Sequence, residues 1–470
     1  MTTRPPKGLG IRGPTPKQTA GTPLSTARKI PVHRGRFGPA EAERLLWRAG
    51  FGPRPGEAKK LAKKGLHGAV HSLTHPGRDR LVGPKPVDED HHPIAPLDAW
   101  GHDHLWWLDR MVRSNRPLVE RMTLVWHDWF ATSNEGVGSQ RLMLKQNQLF
   151  RSHGLGSFEQ LLLSVTKDPA MLLWLNGTEN EKDAPNENYG REMMELFTLG
   201  ASRGYSERDV REQARALTGW RNDWDDDKGP VNFRYDAKRH DPGAKRIFGK
   251  RGHFTWRDSC RLAVHHPKHR AFFVEKLWSY FIPTKPPAAT DRALQALYVR
   301  RGFQVRPVVE AILKHPLLYN GPRMVKPPAV FLAGMLRARK RGIDTEAWTW
   351  LSNQAGQQLF YPPNVAGWDD NRWLDTASFL ARWDLAGRVV RPYALKTDDK
   401  APLDPDKLLA RALDFWGGPR LTPPTHRALK TFAVHAIGDA DRKWKKEQYP
   451  PLIENALRHL IAVSPDMQTS

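Results

Sequence analysis

Apolar residues recur at intervals of three and four along most of the chain, which is the pattern of helices with one buried face. Phe158, Leu161 and Val165 follow this spacing directly after Ser157, which forms a capping box with Gln160. Strand-like alternation is scarce, and no repeat period stands out. The pattern predicts a mainly α fold, a large multi-helix domain of packed helical hairpins with irregular loops and at most a minor β-hairpin.

The stretch 182–220 predicts two of these helices with clear boundaries. The first begins at Asn186, a good N-cap, and runs to about Leu199, where a glycine follows. The second opens with a capping box formed by Ser206 and Asp209. Because the connecting turn is short, the two helices are expected to pack as an antiparallel hairpin.

A row of charged residues follows the first of these helices. Glu187, Arg191 and Glu195 are spaced at i, i+4 and i+8, with Asn188 and Glu192 beside them. The row is either a solvated ladder, with each exposed pair contributing about 0.3–0.5 kcal/mol, or a buried network in which one guanidinium holds two carboxylates. In the second case Glu187 or Glu195 is a general base or metal ligand, and Arg191 orients the carboxylates or binds an anionic group.

Histidines form a second group of candidates. The helix that opens at Pro117 is apolar on two sides and is expected to be central; it carries His127, either a hydrogen-bonded core histidine or a site residue. The segment 88–104 is rich in histidine and carboxylate, including His102 and His104. These are ligand types for Zn, Mn or Fe, so a divalent metal is a candidate cofactor; the alternative is a flexible polar loop.

Two irregular segments add further candidates. His240 and Asp241 are adjacent and form either an acid–base pair or a turn. The segment 357–368 is predicted to be a loop because its Pro-Pro and Gly exclude a helix; it either carries a site or covers the core. The candidates for substrate binding are Asn186, Asn188, Glu192, Trp220, Gln357, Asn364 and Trp368.

Familiar catalytic and binding motifs are missing from the sequence. There is no Walker loop, no GxGxxG after a strand, no GxSxG and no CxxC pair. The segment 222–229 imitates the start of an EF-hand loop, but Lys228 and Arg234 occupy the positions where Gly and Glu are needed. We therefore expect an acidic loop there.

The 470 residues carry a formal net charge of +24, with 17 Lys or Arg and 4 Asp or Glu in residues 1–80. Such a field favours polyanions, although it also serves solubility. The single cysteine, Cys260, excludes an internal disulfide and is expected to be a small core residue. The sequence has no apolar run long enough to span a membrane and no recognisable export signal, so we expect a cytoplasmic protein.

Composition divides the chain into three parts. Residues 1–36 are basic and rich in Pro, Gly and Thr, and we expect a disordered tail there. Residues 37–390 are expected to form one all-α core domain, and residues 391–470 a C-terminal helical extension.

Several long stretches resemble the bacterial family catalogued as domain of unknown function 1800. They keep the family's order and cover roughly residues 38–390. The stretches are LLWRAGFGPRPGE (45–57), LVWHDWFATS (124–133), FRSHGLGSFEQLLLSVTKDPAMLLWLNG (150–177), PNENYGREMMELFTLG (185–200), GYSERDVREQARALTGW (204–220), KRHDPGAKRIFG (238–249) and GQQLFYPPNVAGW (356–368). The resemblance implies no agreed reaction. It implies a neighbouring gene for a protein similar to alkaline phosphatases and sulfatases, which is a candidate partner, and many relatives appear exported.

One departure from the family bears on metal binding. Relatives often read Trp-His-Asn-His-Phe where this chain has Trp126, His127, Asp128, Trp129 and Phe130. If the paired histidines hold a metal in relatives, Trp129 removes one ligand here. The resemblance thus adds His127 and Asp128 to the candidate metal ligands.

Two functional hypotheses follow. The first is a hydrolase-like enzyme, with or without a metal, whose site lies where the 186–195 helix meets His127, the His240-Asp241 pair and the 362–368 loop; His127 or His240 would donate a proton. The second is a non-catalytic binding or accessory protein for a polyanion or for the phosphatase-like partner. The two differ in whether Glu187, Arg191, Glu195 and His127 converge on one pocket with perturbed pKa values.

Overall fold

The computed structural model describes residues 29–470, so residues 1–28 of the predicted tail lie outside the described part of the chain. In the first half of the chain, helices alternate with irregular segments. Its helices are α1 (Pro39–Arg48), α2 (Glu57–Ala62), α3 (Gly65–Thr74), α4 (His102–Arg113), α5 (Pro117–Trp129), α6 (Asn134–Val137), α7 (Gln140–His153), α8 (Phe158–Thr166), α9 (Pro169–Trp174), α10 (Asn188–Glu192) and α11 (Glu207–Ala216).

The second half begins with four short strands and then returns to helices. The strands are β1 (Trp220–Asp225), β2 (Gly229–Tyr235), β3 (Lys245–Ile247) and β4 (Lys250–Gly252). The helices are α12 (Trp256–Val264), α13 (His269–Ser279), α14 (Ala288–Arg300), α15 (Val305–Leu313), α16 (Pro316–Asn320), α17 (Pro328–Arg339), α18 (Ala347–Gln354), α19 (Thr376–Val390), α20 (Pro405–Phe415), α21 (Pro423–Gly438), α22 (Lys443–Val463) and α23 (Pro465–Gln468). The predicted mainly α fold is confirmed.

The strands form two antiparallel hairpins, β1 with β2 and β3 with β4. The acidic loop predicted for 222–229 is wrong, because Asp223 and Asp225 lie within β1. Both terminal nitrogens of the Arg234 guanidinium donate to the Asp223 carboxylate across the hairpin, at 2.8 Å each. This cross-strand ion pair holds a strand whose sequence lacks apolar alternation.

Two large hydrophobic clusters and a small third one, made of Met194, Leu199 and Val210, fill the interior of the described residues. The first gathers α1, α3, α5, α8 and α12–α16, and the second gathers α4 and α17–α22. Helix α5 belongs to both, since Trp126 and Trp129 face the first cluster and Leu124 faces the second. The central position predicted for this helix is confirmed, and its last turn lies where the two clusters meet.

The predicted helical hairpin at 186–217 is present. Val210, Ala214 and Leu217 form the buried face of its second helix, at the i, i+4 and i+7 spacing of one helix face. A Cβ on Gly190 would lie 3.1 Å from the Ala214 nitrogen, so α10 and α11 pack backbone to backbone. The predicted start is off by one residue: Glu187 is the N-cap, and Asn186 instead accepts the Asn188 N–H at 2.9 Å.

The end of the first helix departs from α geometry. Residues Met193–Thr198 form a π-helical segment, in which the Leu199 N–H bonds to the Met194 carbonyl five residues earlier. Carbonyls in a last helical turn lack intrahelical partners and accept other donors. The Leu196 and Phe197 carbonyls of this segment accept the side chains of Lys276 and Trp129.

The helices after residue 390 lie against the preceding ones. Leu408, Leu457 and Ile461 share the second cluster with Phe331 and Leu336 of α17. The domain boundary at 390 stays a prediction. Across residues 29–470, none of the helices combines the length and the apolarity needed to cross a membrane.

Candidate functional site

The Glu187–Arg191–Glu195 row lies at the surface. Arg191 contacts Glu187 at 3.1 Å and Glu195 at 3.5 Å, and it holds Glu207 of α11 with both terminal nitrogens, at 2.8 and 3.0 Å. The Arg191 and Glu187 side chains are 33% and 39% exposed. The hydrogen bonds that Arg191 donates to Glu207, and to a smaller extent to Glu187, raise the pKa of Arg191. The row is a solvated ladder that ties the two helices of the hairpin together.

The polar residues beside the row support the start of α10. The Asn188 side chain donates to Asn176 at 3.2 Å, and the Asn186 backbone N–H donates to Asn180 at 2.9 Å. Burial raises the pKa of Glu192, with a smaller contribution from nearby Glu195. The asparagines fix the backbone before the helix.

His127 lies in the interior, 1% exposed. Its ring is surrounded by the rings of Trp107, Phe150, Phe360 and Trp368, with centroids 5.2–6.3 Å away. Burial lowers the pKa of His127 to about 3, and its Nε2 has no hydrogen-bond partner in the part of the chain that the structure describes. The imidazole is therefore neutral.

His102 and His104 have partners of their own. His102 accepts the Ala95 N–H at 2.8 Å and contacts Glu346 through Nε2 at 2.7 Å. The Nδ1 of buried His104 accepts the Leu359 N–H at 3.0 Å, and burial lowers its pKa to about 3. The structure does not bring the predicted metal candidates together.

Another set of potential metal ligands meets instead. Within the described residues, the side chains of His71, His75 and Glu310 place ligand atoms within 4.8 Å of one another. The sequence carries a signal for the two histidines of this group, because His67, His71 and His75 are spaced at i, i+4 and i+8, but no local pattern links them to Glu310.

His240 and Asp241 face different partners. His240 Nδ1 lies 3.1 Å from both the hydroxyl and the carbonyl of Thr218, and burial lowers its pKa. Asp241 accepts Arg215 Nε at 2.6 Å, which helps to lower the pKa of the carboxyl despite its partial burial. The structure forms no acid–base pair here. The Trp220 ring packs nearby against Trp256, 5.4 Å away.

The 357–368 loop is fixed at both ends. Gln357 accepts the Ala329 N–H at 3.0 Å, at the start of α17. The exposed Asn364 accepts the Ala366 N–H at 2.8 Å. The Trp368 N–H donates to Asp128 Oδ1 at 2.9 Å, and a Cβ on Gly367 would lie 2.4 Å from the same oxygen. The loop therefore closes directly onto the end of α5.

Asp128 is the centre of a polar cluster that we call the Asp128 cluster, made of Asp128, Lys276 and Tyr280. The Tyr280 hydroxyl donates to Asp128 Oδ2 at 2.6 Å. Lys276, one turn earlier on α13, donates to the Leu196 carbonyl at 3.0 Å and lies over the Trp129 ring. The three side chains are half-buried and keep contact with solvent.

Burial perturbs every titratable group of the Asp128 cluster. It lowers the pKa of Lys276 to about 8, with Asp128 opposing the shift. It raises the pKa of Asp128 against hydrogen bonds from Tyr280 and the Trp368 N–H, and it raises the pKa of Tyr280 well above its ordinary value. The cluster therefore combines a protonated phenol, a carboxyl group that accepts its hydrogen bond and an amine whose pKa of about 8 lies close to neutral pH.

Arg121 adds a cation to this region, two helical turns before Asp128. It is 3% exposed, and its Nε and Nη1 have no hydrogen-bond partner among residues 29–470. Burial lowers its pKa to about 10, which Tyr280 and Asp128 oppose. A buried guanidinium with free donors can bind an anionic group.

The sequence signalled part of the Asp128 cluster. The sequence indicates Asp128 only as a candidate metal ligand. In the structure, both of its oxygens accept hydrogen bonds from the protein. Lys276 and Tyr280 have the i, i+4 spacing of residues on one helix face, but nothing local links that face to α5.

Fold and site together define a mainly α protein in which three family-like stretches meet. The stretch 124–133 supplies Asp128, 356–368 contacts that carboxyl group through the Trp368 N–H, and 185–200 binds Lys276 through the Leu196 carbonyl. The chain belongs to the family described as "Protein of unknown function (DUF1800)", whose model matches residues 44–469. No curated protein matches the chain, and no solved structure does.

Proposed function

We propose that the protein is a hydrolase-like enzyme that uses acid–base catalysis in the Asp128 cluster. The observation that carries this proposal is the 2.6 Å hydrogen bond between Tyr280 and Asp128 beside Lys276, whose pKa is lowered to about 8. Catalytic groups need pKa values near the working pH, and such values concentrate at functional sites.

Each side chain of the cluster has a role that follows from its protonation state. Neutral Lys276 takes a proton from the attacking water, and the resulting ammonium returns it to the leaving group. Tyr280 stays protonated and uses its one proton in the hydrogen bond to Asp128, so it fixes the position of that carboxyl group. Asp128 orients Tyr280 and holds the 362–368 loop, and Arg121 attracts an anionic substrate group.

This proposal moves the proton-transfer roles within the predicted region. Glu187 and Glu195 are half-exposed members of a surface ladder, while His127 is enclosed by aromatic rings. The helix that carries Glu187 still takes part, because its Leu196 carbonyl positions Lys276.

The test compares tag-free wild-type protein with Lys276→Met and Tyr280→Phe on p-nitrophenyl acetate, phosphate and sulfate. The proposal expects a fall of roughly 10²-fold or more for Lys276→Met, since a positioned acid–base group contributes about 10²–10⁴-fold. Exposed Lys285→Met is the matched control and should retain the wild-type rate. Equal rates for wild type and Lys276→Met on all three substrates would reject the proposal.

The binding alternative has one observation in its favour, the concentration of positive charge in residues 1–80. A polyanion-binding protein loses affinity steeply as salt rises, because bound phosphates or sulfates release counterions. Elution from heparin at a salt concentration no higher than that of a neutral protein of equal size would remove this alternative.

A further inference from the structure

We propose that His71, His75 and Glu310 form a transition-metal site that fits zinc, separate from the Asp128 cluster. The two histidines are one helical turn apart, on α3 and at the residue that ends it, and Glu310 projects from α15. Their ligand atoms all lie within 4.8 Å of one another. Two imidazoles and one carboxylate are a ligand set that zinc takes in open sites.

The packing of two helices holds these ligands in place. Val70 and Leu73 of α3 and Val309 and Leu313 of α15 are buried in the same hydrophobic cluster. Residues four apart on a helix lie on one face, so His71 and His75 project together beside this seam. The site is therefore built on helices rather than on a mobile loop.

The spacing of the ligand atoms suits a tetrahedral ion. His75 Nδ1 lies 3.4 Å from Glu310 Oε1. Two atoms bound at about 2.0–2.2 Å to one tetrahedral zinc are separated by roughly the same distance. The His71 and His75 rings stack with centroids 4.3 Å apart, and one ring must turn about its side-chain bonds for both nitrogens to face the same ion.

The Thr74 hydroxyl contacts the Glu310 carboxylate. Thr74 Oγ1 lies 2.9 Å from Glu310 Oε1 and can donate to it. Hydrogen bonds of this kind orient metal-binding carboxylates. Thr74 itself is fully buried, so its hydroxyl is fixed by the same helix packing.

The group is open towards solvent. The His75 and Glu310 side chains are 39% and 25% exposed. Three protein ligands and access for water are the arrangement of zinc sites that keep a fourth position for an exchangeable ligand. The geometry thus assigns an ion with one open position rather than a closed structural site.

The test is calorimetric titration of the full-length, tag-free protein with zinc chloride, supported by the visible spectrum of the cobalt-loaded protein. We expect one equivalent of zinc and the absorption bands of tetrahedral cobalt. His71→Ala should abolish both, and Glu310→Gln should weaken zinc binding at least tenfold.

His67→Ala is the matched control, because it removes an exposed histidine of the same helix that lies outside the group. It should bind zinc as the wild type does. Absence of zinc binding by the wild type would overturn the proposal. So would loss in His67→Ala with full retention in Glu310→Gln, because the site would then be a surface histidine pair without the carboxylate.

Discussion

The Glu187–Arg191–Glu195 ladder and the Asp128 cluster contain the same kinds of side chain in opposite settings. Each joins carboxylate to cation, but the ladder runs along one helix face with Arg191 33% exposed. The Asp128 cluster draws on α5, α13, the π-helical segment and the 362–368 loop. Water screens the ladder, whereas the surrounding protein shifts the pKa of every group in the cluster.

The comparison shows that spacing along a helix identifies partners but not their setting. An i, i+4 series predicts contacts, and Arg191 does contact both glutamates. Whether those contacts are exposed to solvent or buried depends on how segments distant in sequence pack around them. Substitutions in the two regions should therefore differ in size, and the predictions that follow are ordered by that size.

The largest effect is expected at Gly367. This residue has φ +95, and an added Cβ would lie 2.4 Å from Asp128 Oδ1. Gly367→Ala combines backbone strain with a clash that displaces the loop, so we expect a loss of about 3 kcal/mol in the free energy of unfolding, measured by urea denaturation.

Gly249→Ala is the control that separates strain from clash. Gly249 has φ +76, and nothing lies within 4 Å of its added Cβ. Strain alone predicts a loss of about 1 kcal/mol. Similar losses for the two variants would mean that the loop does not depend on close approach to Asp128.

A smaller loss is expected for Tyr280→Phe. The variant removes the hydroxyl that donates to the half-buried carboxyl group of Asp128. A hydrogen bond to a charged group contributes about 1.5–3 kcal/mol. Tyr205→Phe is the matched control from the hairpin turn, where the hydroxyl accepts the Ser202 N–H at 3.2 Å near the surface. Urea denaturation should rank Tyr280→Phe well below Tyr205→Phe in stability; the reverse order would place the important contacts in the hairpin.

Lys276 should make stability depend on pH. Its folded pKa of about 8 lies below the ordinary 10.5, so between these values the unfolded chain binds more protons than the folded chain. The contribution of Lys276 to the free energy of unfolding therefore rises with pH between about 8 and 10.5, and it is lost as pH falls through about 8. Thermal unfolding from pH 7 to 10 should show a smaller rise for Lys276→Met than for wild type. Parallel curves would show that Lys276 titrates normally.

The sequence predicted the helical part of this molecule well, for local reasons. Ser157 and Ser206 cap their helices as expected, because a capping hydrogen bond joins residues two or three apart. The buried faces of α10 and α11 also follow from spacing alone.

The strands and the site depended on contacts between distant residues. Asp223 lies in a strand that pairs with the strand of Arg234, and periodicity did not predict that pairing. Tyr280 reaches Asp128 across 152 residues of sequence. The π-helical segment also escaped prediction, although its Leu196 carbonyl is what positions Lys276.

The smallest effect is expected in the ladder, and it tests the comparison most directly. Glu187→Ala removes one half-exposed pair, so the free energy of unfolding should fall by about 0.5 kcal/mol or less, and the difference from wild type should shrink at high salt. Arg191 keeps Glu207 and Glu195, which explains why the loss is small. Any hydrolysis measured for the wild type should persist in Glu187→Ala. If that variant instead lost activity at unchanged stability, the catalytic groups would lie in the Glu187–Arg191–Glu195 ladder. The Asp128 cluster would then have only the structural role of fixing the 362–368 loop.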